Sequence, residues 1–385
     1  MRLAIAGLIL ALSAFSFLLS PAESQSFHAL VSRAYGNYTA GNLDLARRQL
    51  TSALQKESAV HQPLEHAAAL NLLADISLDM GRASDSVKFY QEAGRTYKAQ
   101  LGTQHYLVAH TWRKQAAALR KGGAIEQAKG LEAAAAVIFP GPERIYKAGD
   151  IGKPAGKGCD PFYAKELSVA GMKVRSSQSV SDAALLKAAE MLSVILPRSD
   201  VLKRMLRQGA TVAVIGMNEA TTDIPEHRYL KGTLTFDGRD FDAQTRGQGG
   251  LPGAPATSAS EENLLLLPWD RYLGESLLVH EFAHAVMDLG LPLAQQELIN
   301  RVYVRAMKKG LWKGTYAASN RGEYFATAVT CYFNAHQRPV AGLHNHVNSR
   351  DELRRYDGEI YRIIESIFGP KMPLSVRRAV TQTAK

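Results

Sequence analysis

His280 and His284, with Glu281 between them, are the residues of this chain whose types and spacing could do chemistry. Two histidines four residues apart on a helix project from the same face, about one turn apart. Both rings can then reach one metal ion at roughly 2.0–2.1 Å. The glutamate that follows the first histidine can take a proton from a water molecule at that metal. This HExxH pattern therefore predicts metal-dependent hydrolysis.

The residues around the pattern favour a buried metal-binding helix over a chance match. Between Glu275 and Gly290 the segment is apolar nearly all round, so we expect a buried helix that stops at Gly290. Two imidazoles and a carboxylate inside such a helix are costly unless something satisfies their polar atoms. A bound metal ion does so. The alternative is an ordinary helix that happens to carry two histidines.

A catalytic zinc site needs a third protein ligand and one open position. The metzincin pattern fails at Met287 and Gly290, and a Gly-Thr-x-x-Asp pattern fails at Ala318. A third class takes a glutamate from a later helix, and Glu323 fits it near the start of an apolar, aromatic-rich run. Glu323 could also be the capping-box partner of Asn320, which is compatible with a ligand role. The rival ligands are His336, His344 and His346.

The two segments together resemble the gluzincin metallopeptidases, and their pattern is similar to that of the catalytic domain of anthrax lethal factor. The resemblance is carried by residues 279–286 and 315–326, in which Tyr316 precedes Glu323 by seven positions. Upstream, the segments 160–163, 223–227 and 261–264 resemble uncharacterised secreted bacterial relatives instead. Substrate choice therefore does not follow from the resemblance.

The resemblance implies a role for each site residue. A Zn²⁺ ion would be bound by His280, His284 and Glu323. Glu281 would be the general base, and Tyr316 would stabilise the tetrahedral oxyanion. Tyr324 and His227 are substitutes for Tyr316, and we expect His227 on the surface. The function implied is that of an exported zinc metallopeptidase that hydrolyses a peptide or protein substrate.

Two other functions stay open. The chain could be a non-catalytic, repeat-based binding protein whose peptidase-like domain no longer turns over. It could also be a zinc amidase that acts on a non-protein amide of the cell wall. The intact HExxH pattern weighs against the first alternative, because the general base is usually the first residue to be lost when such a domain becomes inactive.

Length and composition are those of a globular protein with two or three domains. The chain has 385 residues, of which 46% are hydrophobic and 21% are charged. The 46 basic and 36 acidic residues give a net charge of +10. The basic residues are scattered and no basic-aromatic module is visible, so we predict no nucleic-acid partner.

Residues 1–22 have the pattern of a secretory signal peptide. An apolar run from Leu3 to Leu19 follows Arg2, and small residues permit cleavage after Ala22. A retained membrane anchor is the alternative. We therefore expect a bacterial protein exported to the periplasm or secreted, with no stable membrane span after cleavage. An exported compartment permits a disulfide between Cys159 and Cys331, and two free thiols are equally compatible.

Residues 27–139 form a helical repeat pattern. Gly41, Gly81 and Gly123 mark three helix–helix turns, and small residues follow each glycine at offsets of 5 and 12: Ala46, Ala53, Ser86, Ala93, Ala128 and Ala135. This spacing predicts stacked helical hairpins and resembles tetratricopeptide repeats of the kinesin-light-chain type. An irregular helical bundle is the alternative. The hairpins could offer a concave surface to a partner protein.

Residues 140–160 are rich in Gly, Pro and Lys and are predicted to be a linker. Residues 161–385 would then form a zincin-like domain with a small mixed sheet and helices, so the fold class is α+β. The ranges expected as helices are 181–194, 199–208 and a helix that begins at a capping box on Ser349. Residues 359–368 are expected to be the end of that last helix or a second helix. The ranges expected as strands are 210–216, 232–236 and 263–268. Residues 238–260 are expected to be a disordered insertion or an active-site lid.

Overall fold

The structure is a computed structural model that describes residues 21–56, 62–142, 144–154, 159–340 and 342–370, with side chains from Phe27 onward. Residues 1–20 of the expected signal peptide lie outside these ranges. Within them, no helix combines the length and the apolar character needed to cross a bilayer.

Three helical hairpins occupy the region in which repeats were predicted. Their helices are α1 (Pro21–Thr39), α2 (Leu43–Lys56), α3 (Pro63–Asp79), α4 (Ala83–Leu101), α5 (Tyr106–Lys121) and α6 (Ile125–Ile138). Gly41, Gly81 and Gly123 lie in the turns with φ of +81°, +76° and +84°, which a side chain would strain. The small residues that follow them are all fully buried and let the paired helices approach closely. The prediction of helical hairpins is confirmed.

A five-stranded mixed sheet follows, which confirms the α+β class. Its strands are β1 (Lys165–Val169), β2 (Met172–Ser176), β3 (Thr211–Ile215), β4 (Gly247–Gln248) and β5 (Ala256–Ser260). The order is β1-β2-β3-β5-β4. The inner strands β2, β3 and β5 are parallel, whereas β1 and β4 are antiparallel to their neighbours at the two edges. The strand predicted at 210–216 is confirmed as β3.

Two predicted strands are wrong. Residues 263–268 do not form a strand, because Glu261–Leu265 is a short helix that Leu266 ends with a φ of +57°. Its consecutive leucines are buried on several sides, a pattern that suits a helix as well as a strand. Residues 232–236 contribute one isolated bridge, Leu234 to Asp240.

The segment 238–260 is ordered and contains two strands, so the prediction of a disordered insertion is wrong. The small residues of β5 are all buried, because the helix Leu277–Ala285 packs directly against this strand. Large side chains on β5 would hold that helix away from the sheet. The small residues that led to the prediction of disorder are therefore the ones that allow this helix to pack closely on β5.

The remaining helices surround the sheet or pack at the C-terminal end of the described chain. They are α7 (Asp182–Ile195), α8 (Ser199–Arg207), α9 (Phe241–Gln244), α10 (Glu261–Leu265), α11 (Leu277–Ala285), α12 (Leu293–Lys308), α13 (Arg321–Tyr332), α14 (Arg350–Tyr356) and α15 (Gly358–Phe368). Ser181 caps α7 through Ala184, and Ser349 caps α14 through Glu352, as expected.

One hydrophobic cluster runs from the hairpins into the sheet-bearing half. It joins Leu101 and Leu107 of the hairpins to Val279 of α11 and Phe325 of α13. The segment predicted as a linker joins it too, because Tyr146 is buried there and Gly152 pairs with Glu166 of β1. The two halves are therefore in direct contact rather than tethered.

Both cysteines are free thiols. Cys331 is buried within α13, whereas Cys159 is half-buried in a small cluster with Phe162 and Tyr163. The structure therefore corresponds to the free-thiol alternative.

Candidate metal centre

Helix α11 presents the HExxH residues as their spacing predicts. Ser276 caps the helix by accepting a hydrogen bond from the Val279 amide, and the apolar residues on both sides are buried. The Nε2 atoms of His280 and His284 lie 3.3 Å apart. The helix continues as a π-helical turn over Val286–Gly290.

Gly290 ends this segment for a reason other than the one expected. Its φ is not in the left-handed region, so it is not a left-handed helix stop. A Cβ at this position would lie 2.7 Å from Cγ1 of Val201 on α8. Glycine is needed here because α8 packs closely against the turn.

Glu323 brings a carboxylate to the two imidazoles from a second helix. Asn320 caps α13 by accepting hydrogen bonds from the amides of Gly322 and Glu323. This fixes the first turn, and Oε2 of Glu323 lies 3.1 Å from His280 Nε2 and 3.6 Å from His284 Nε2. The Glu323 side chain thus faces the histidines, as a ligand would.

His280, His284 and Glu323 form a potential metal-binding group in the described part of the chain. Their three mutual distances are 3.1, 3.3 and 3.6 Å. Tetrahedral ligands roughly 2.0–2.1 Å from a zinc ion would lie about 3.4 Å from one another. Two imidazoles and one carboxylate are also a donor set found in catalytic zinc sites. The residues present therefore fit this metal ion.

Glu323 and His280 each shift the pKa of the other toward its charged form. Burial alone would raise the pKa of Glu323, but its hydrogen bonds with the two imidazoles hold that pKa well below its usual value. Burial alone would lower the pKa of His280, but the contacts with Glu275 and Glu323 raise it. Glu323 is therefore held as a carboxylate, the form that binds a metal.

Glycines of and after β4 allow the strand to pass close to α11. A Cβ on Gly247 would lie 3.0 Å from Cγ of Glu281, and one on Gly249 would lie 2.5 Å from Cβ of His284. The contact at Gly249 leaves no space for a side chain, and the one at Gly247 is tighter than nearly all real Cβ contacts. This role of the glycines was not predicted, although three glycines within 247–250 are a signal for close backbone approach.

The metal-binding group faces a cavity of about 840 Å³. Glu281 lies on the same wall as the histidines, and burial raises the pKa of its carboxyl. The segment 238–260 supplies another part of the wall, including Arg239 and Gly247. Other lining residues are Phe236, Tyr272, Met287, Tyr316 and Leu343. The cavity is large enough for several residues of an extended ligand.

Tyr316 lies on the cavity wall and is held from two sides. Its ring stacks on Phe236 with centroids 5.9 Å apart, and its hydroxyl accepts a hydrogen bond of 3.2 Å from Nη2 of Arg239. Burial and the charge of Glu323 raise the pKa of Tyr316, so the hydroxyl stays protonated.

The two substitutes for Tyr316 lie elsewhere. Tyr324 is fully buried and its hydroxyl donates to Asp357 at 2.6 Å. His227 is fully buried as well, with Nε2 3.0 Å from Oγ of Ser258 on β5, so its expected surface position is wrong. The contact with Ser258 gives His227 a polar partner inside the protein, and burial lowers the pKa of His227 to about 4.

The rival histidines do not join the metal-binding group. His336 and His344 contact Glu275, at 3.1 Å and 3.7 Å respectively. His346 is exposed and its ring lies against Tyr356. Glu275 was not predicted as a site residue. A lone acidic residue just before the cap of an apolar helix was the available signal.

Comparisons with known proteins add little to this geometry. No family model matches the chain, and no curated protein matches it. The crystal structure of BtubC (BKLC) from P. vanneervenii is similar with 20% sequence identity and a TM-score of 0.29. That match covers 31% of this chain and 48% of BtubC, less than half of its length. At this level it carries no argument about fold or function.

Proposed function

We propose that the protein is a zinc-dependent metallopeptidase of gluzincin type. The supporting observation is the geometry of His280, His284 and Glu323, whose distances of 3.1 to 3.6 Å suit three ligands of one tetrahedral ion. The carboxylate of Glu281 faces the same cavity. A metal-binding group, a second carboxylate and a large cavity together favour hydrolysis over a purely structural metal site.

Glu281 is the general base in this proposal. Zinc, when bound, supplies a Lewis acid that polarises a carbonyl and lowers the pKa of a water molecule toward about 7. Glu281 accepts the proton of the attacking water and delivers it to the leaving amine. The raised pKa of Glu281 suits a group that must both take and return a proton.

Tyr316 is the oxyanion donor in this proposal. Its protonated hydroxyl faces the cavity and can donate a hydrogen bond to the developing negative charge. Phe236 and Arg239 hold the ring and the hydroxyl in place, so little reorganisation is needed during the reaction.

Strand β4 is the candidate binding edge for an extended substrate. One side of β4 pairs with β5, and Gly247, Gln248 and Gly249 line the cavity beside Glu281. An extended peptide could add to the outer side of β4 by backbone hydrogen bonds. Residues 263–268, which precede the metal-binding helix, offer no such edge because they are not a strand.

Export to the periplasm or beyond, through cleavage after Ala22, is part of the same proposal. A partner protein on the hairpins is a further part. Part of the hairpin surface is already covered by the sheet-bearing half, because residues of α3, α4, α5 and α6 share one hydrophobic cluster with it. A partner would bind the part of the hairpins that this contact leaves exposed.

The test compares the wild type with Glu281→Gln and Glu323→Ala. Zinc content is measured by elemental analysis and cleavage with a peptide library. We expect Glu281→Gln to keep zinc and lose about 10²–10⁴-fold in cleavage rate, and Glu323→Ala to lose zinc. Glu297→Gln, on the exposed side of α12, is the matched control and should change neither.

Three outcomes would contradict this proposal. Undiminished cleavage by Glu281→Gln would remove the proposed base. Zinc without any cleavage by the wild type would favour the binding protein. Cleavage of cell-wall fragments but not of peptides would favour the amidase.

A further inference from the structure

Glu275 is a buried carboxylate behind the metal-binding group. Its Oε1 lies 3.1 Å from Nδ1 of His336 and 3.6 Å from Nδ1 of His280. Its Oε2 lies 3.7 Å from Nε2 of His344. The Glu275 carboxylate is therefore held among three histidines, on the side of His280 opposite to Glu323.

His280 needs an acceptor in this position. If Nε2 binds a metal, the ring proton is on Nδ1, and that buried atom has no hydrogen-bond partner among the described residues. Glu275 Oε1, at 3.6 Å, is the carboxylate oxygen beside it. Metal-binding histidines commonly donate their second N–H to such a group, which fixes the ring and its tautomer.

The backbone of Glu275 is fixed by the helical hairpins. His105, the cap of α5, accepts a hydrogen bond on Nδ1 from the Leu107 amide, so Nε2 carries the proton. This Nε2 donates to the carbonyl of Gly274 at 2.9 Å. The imidazole is 1% exposed, and burial lowers its pKa to about 3, so it stays neutral.

The peptide between Gly274 and Glu275 is thus held from both sides. Its carbonyl accepts from His105, and its N–H donates to the carbonyl of Tyr272 at 2.8 Å. Gly274 has a φ of +106°, and a Cβ there would lie 3.4 Å from Leu64 and 3.5 Å from Leu101 of the hairpins. The direction in which the Glu275 side chain leaves the backbone therefore depends on the hairpins.

We propose that His105 is a positioning residue of the metal centre, which acts through Gly274 and Glu275 on His280. The hairpins are then part of the site's framework and not only a recognition surface. This inference rests on the proposed zinc site. It assigns a site role to a residue 175 positions before His280 in the chain.

The experiment measures zinc affinity by competition with a chromophoric chelator, and thermal unfolding of the metal-free protein. His105→Asn keeps a good cap for α5 but is too short to reach Gly274. His105→Gln keeps an N–H near the position of Nε2. Asn348→Ala is the matched control, because Asn348 donates to the Leu101 carbonyl at the same interface without contacting Gly274 or Glu275.

We expect Glu275→Gln to weaken zinc binding roughly 10–100-fold, and His105→Asn to weaken it about 10-fold. His105→Gln should bind zinc like the wild type. Asn348→Ala should lower the unfolding temperature without changing zinc affinity. In the double variant, His105→Asn should cause no further loss beyond Glu275→Gln, because both act through one contact.

Wild-type zinc affinity in His105→Asn, or additive losses in the double variant, would overturn the inference while the zinc site stands. An equal loss of affinity in Asn348→Ala would also overturn it, since any weakening of the interface would then suffice. Absence of zinc binding by the wild type would instead overturn the proposed function, and the inference with it.

Discussion

The helical hairpins and the sheet-bearing half bury different kinds of side chain. The turns and helix contacts of the hairpins are set by glycines and by small residues such as Ala46, Ala93 and Ala135. The other half buries carboxylates, among them Glu323 and Glu262, and the latter lies 2.6 Å from the half-buried Arg246. Buried charges are costly unless they are paired. The charged groups that the proposed reaction requires therefore lower the stability of the sheet-bearing half. The contrast predicts different effects for equivalent substitutions in the two halves.

The largest expected difference is between two tyrosines. Tyr316→Phe should lower kcat about 10²–10³-fold with zinc content unchanged, because it removes an oxyanion donor. Tyr90 of α4 is buried too, and its hydroxyl donates to Asp75. Tyr90→Phe should lower stability by about 1.5–3 kcal/mol and leave kcat unchanged. Steady-state kinetics and denaturant unfolding measure both. An unchanged kcat in Tyr316→Phe would remove Tyr316 from the mechanism.

The next effect concerns pH and the contact between the two halves. His105 has a folded-state pKa of about 3 because burial disfavours its charged form. Its unfolded-state pKa is about 6.5, so between these values the unfolded chain binds a proton that the native protein does not. Stability should therefore fall as the pH falls from about 6.5 toward 3, by up to about 1.4 kcal/mol per pH unit from this group.

His105→Gln isolates that contribution, since the other titrating groups are shared with the wild type. The free energy of unfolding of both proteins, measured by denaturant titration from pH 7 to pH 4, should show a shallower decline for the variant. Parallel curves would mean that the imidazole is protonated, or exposed, in the native protein.

The hairpins could be predicted from sequence because their determinants are local. Gly41, Gly81 and Gly123 lie in turns between adjacent helices, and each buried small residue contacts a neighbouring helix. Spacing along the chain is then enough to locate the helices. The HExxH pair is local in the same sense, because both histidines lie on α11.

The sheet could not be predicted in the same way, because its determinants are distant in sequence. The small residues of β5 are favourable only because α11 packs on them, and Gly249 is needed only because His284 is close. Glu323 could be found from its place beside a helix cap. Glu275 could not, because its partners His336 and His344 come from a segment more than 60 positions later.

The smallest expected effects are those of one glycine-to-alanine substitution in each half. The two substitutions should change the unfolding free energy in opposite directions. Gly249→Ala places a Cβ 2.5 Å from Cβ of His284 and 3.2 Å from the carbonyl oxygen of Glu281. These atoms are in or next to the backbone and cannot turn away, so we expect a loss of about 1–3 kcal/mol in unfolding free energy and weaker zinc binding.

Gly130→Ala, on the exposed side of α6, meets nothing within 4 Å. It should raise the unfolding free energy by about 0.4–1 kcal/mol, because alanine loses less backbone entropy on entering a helix. Denaturant unfolding of the metal-free proteins measures both changes. If Gly249→Ala were as harmless as Gly130→Ala, α11 would not be held tightly against the segment after β4, and the position of His284 would depend on something other than this contact.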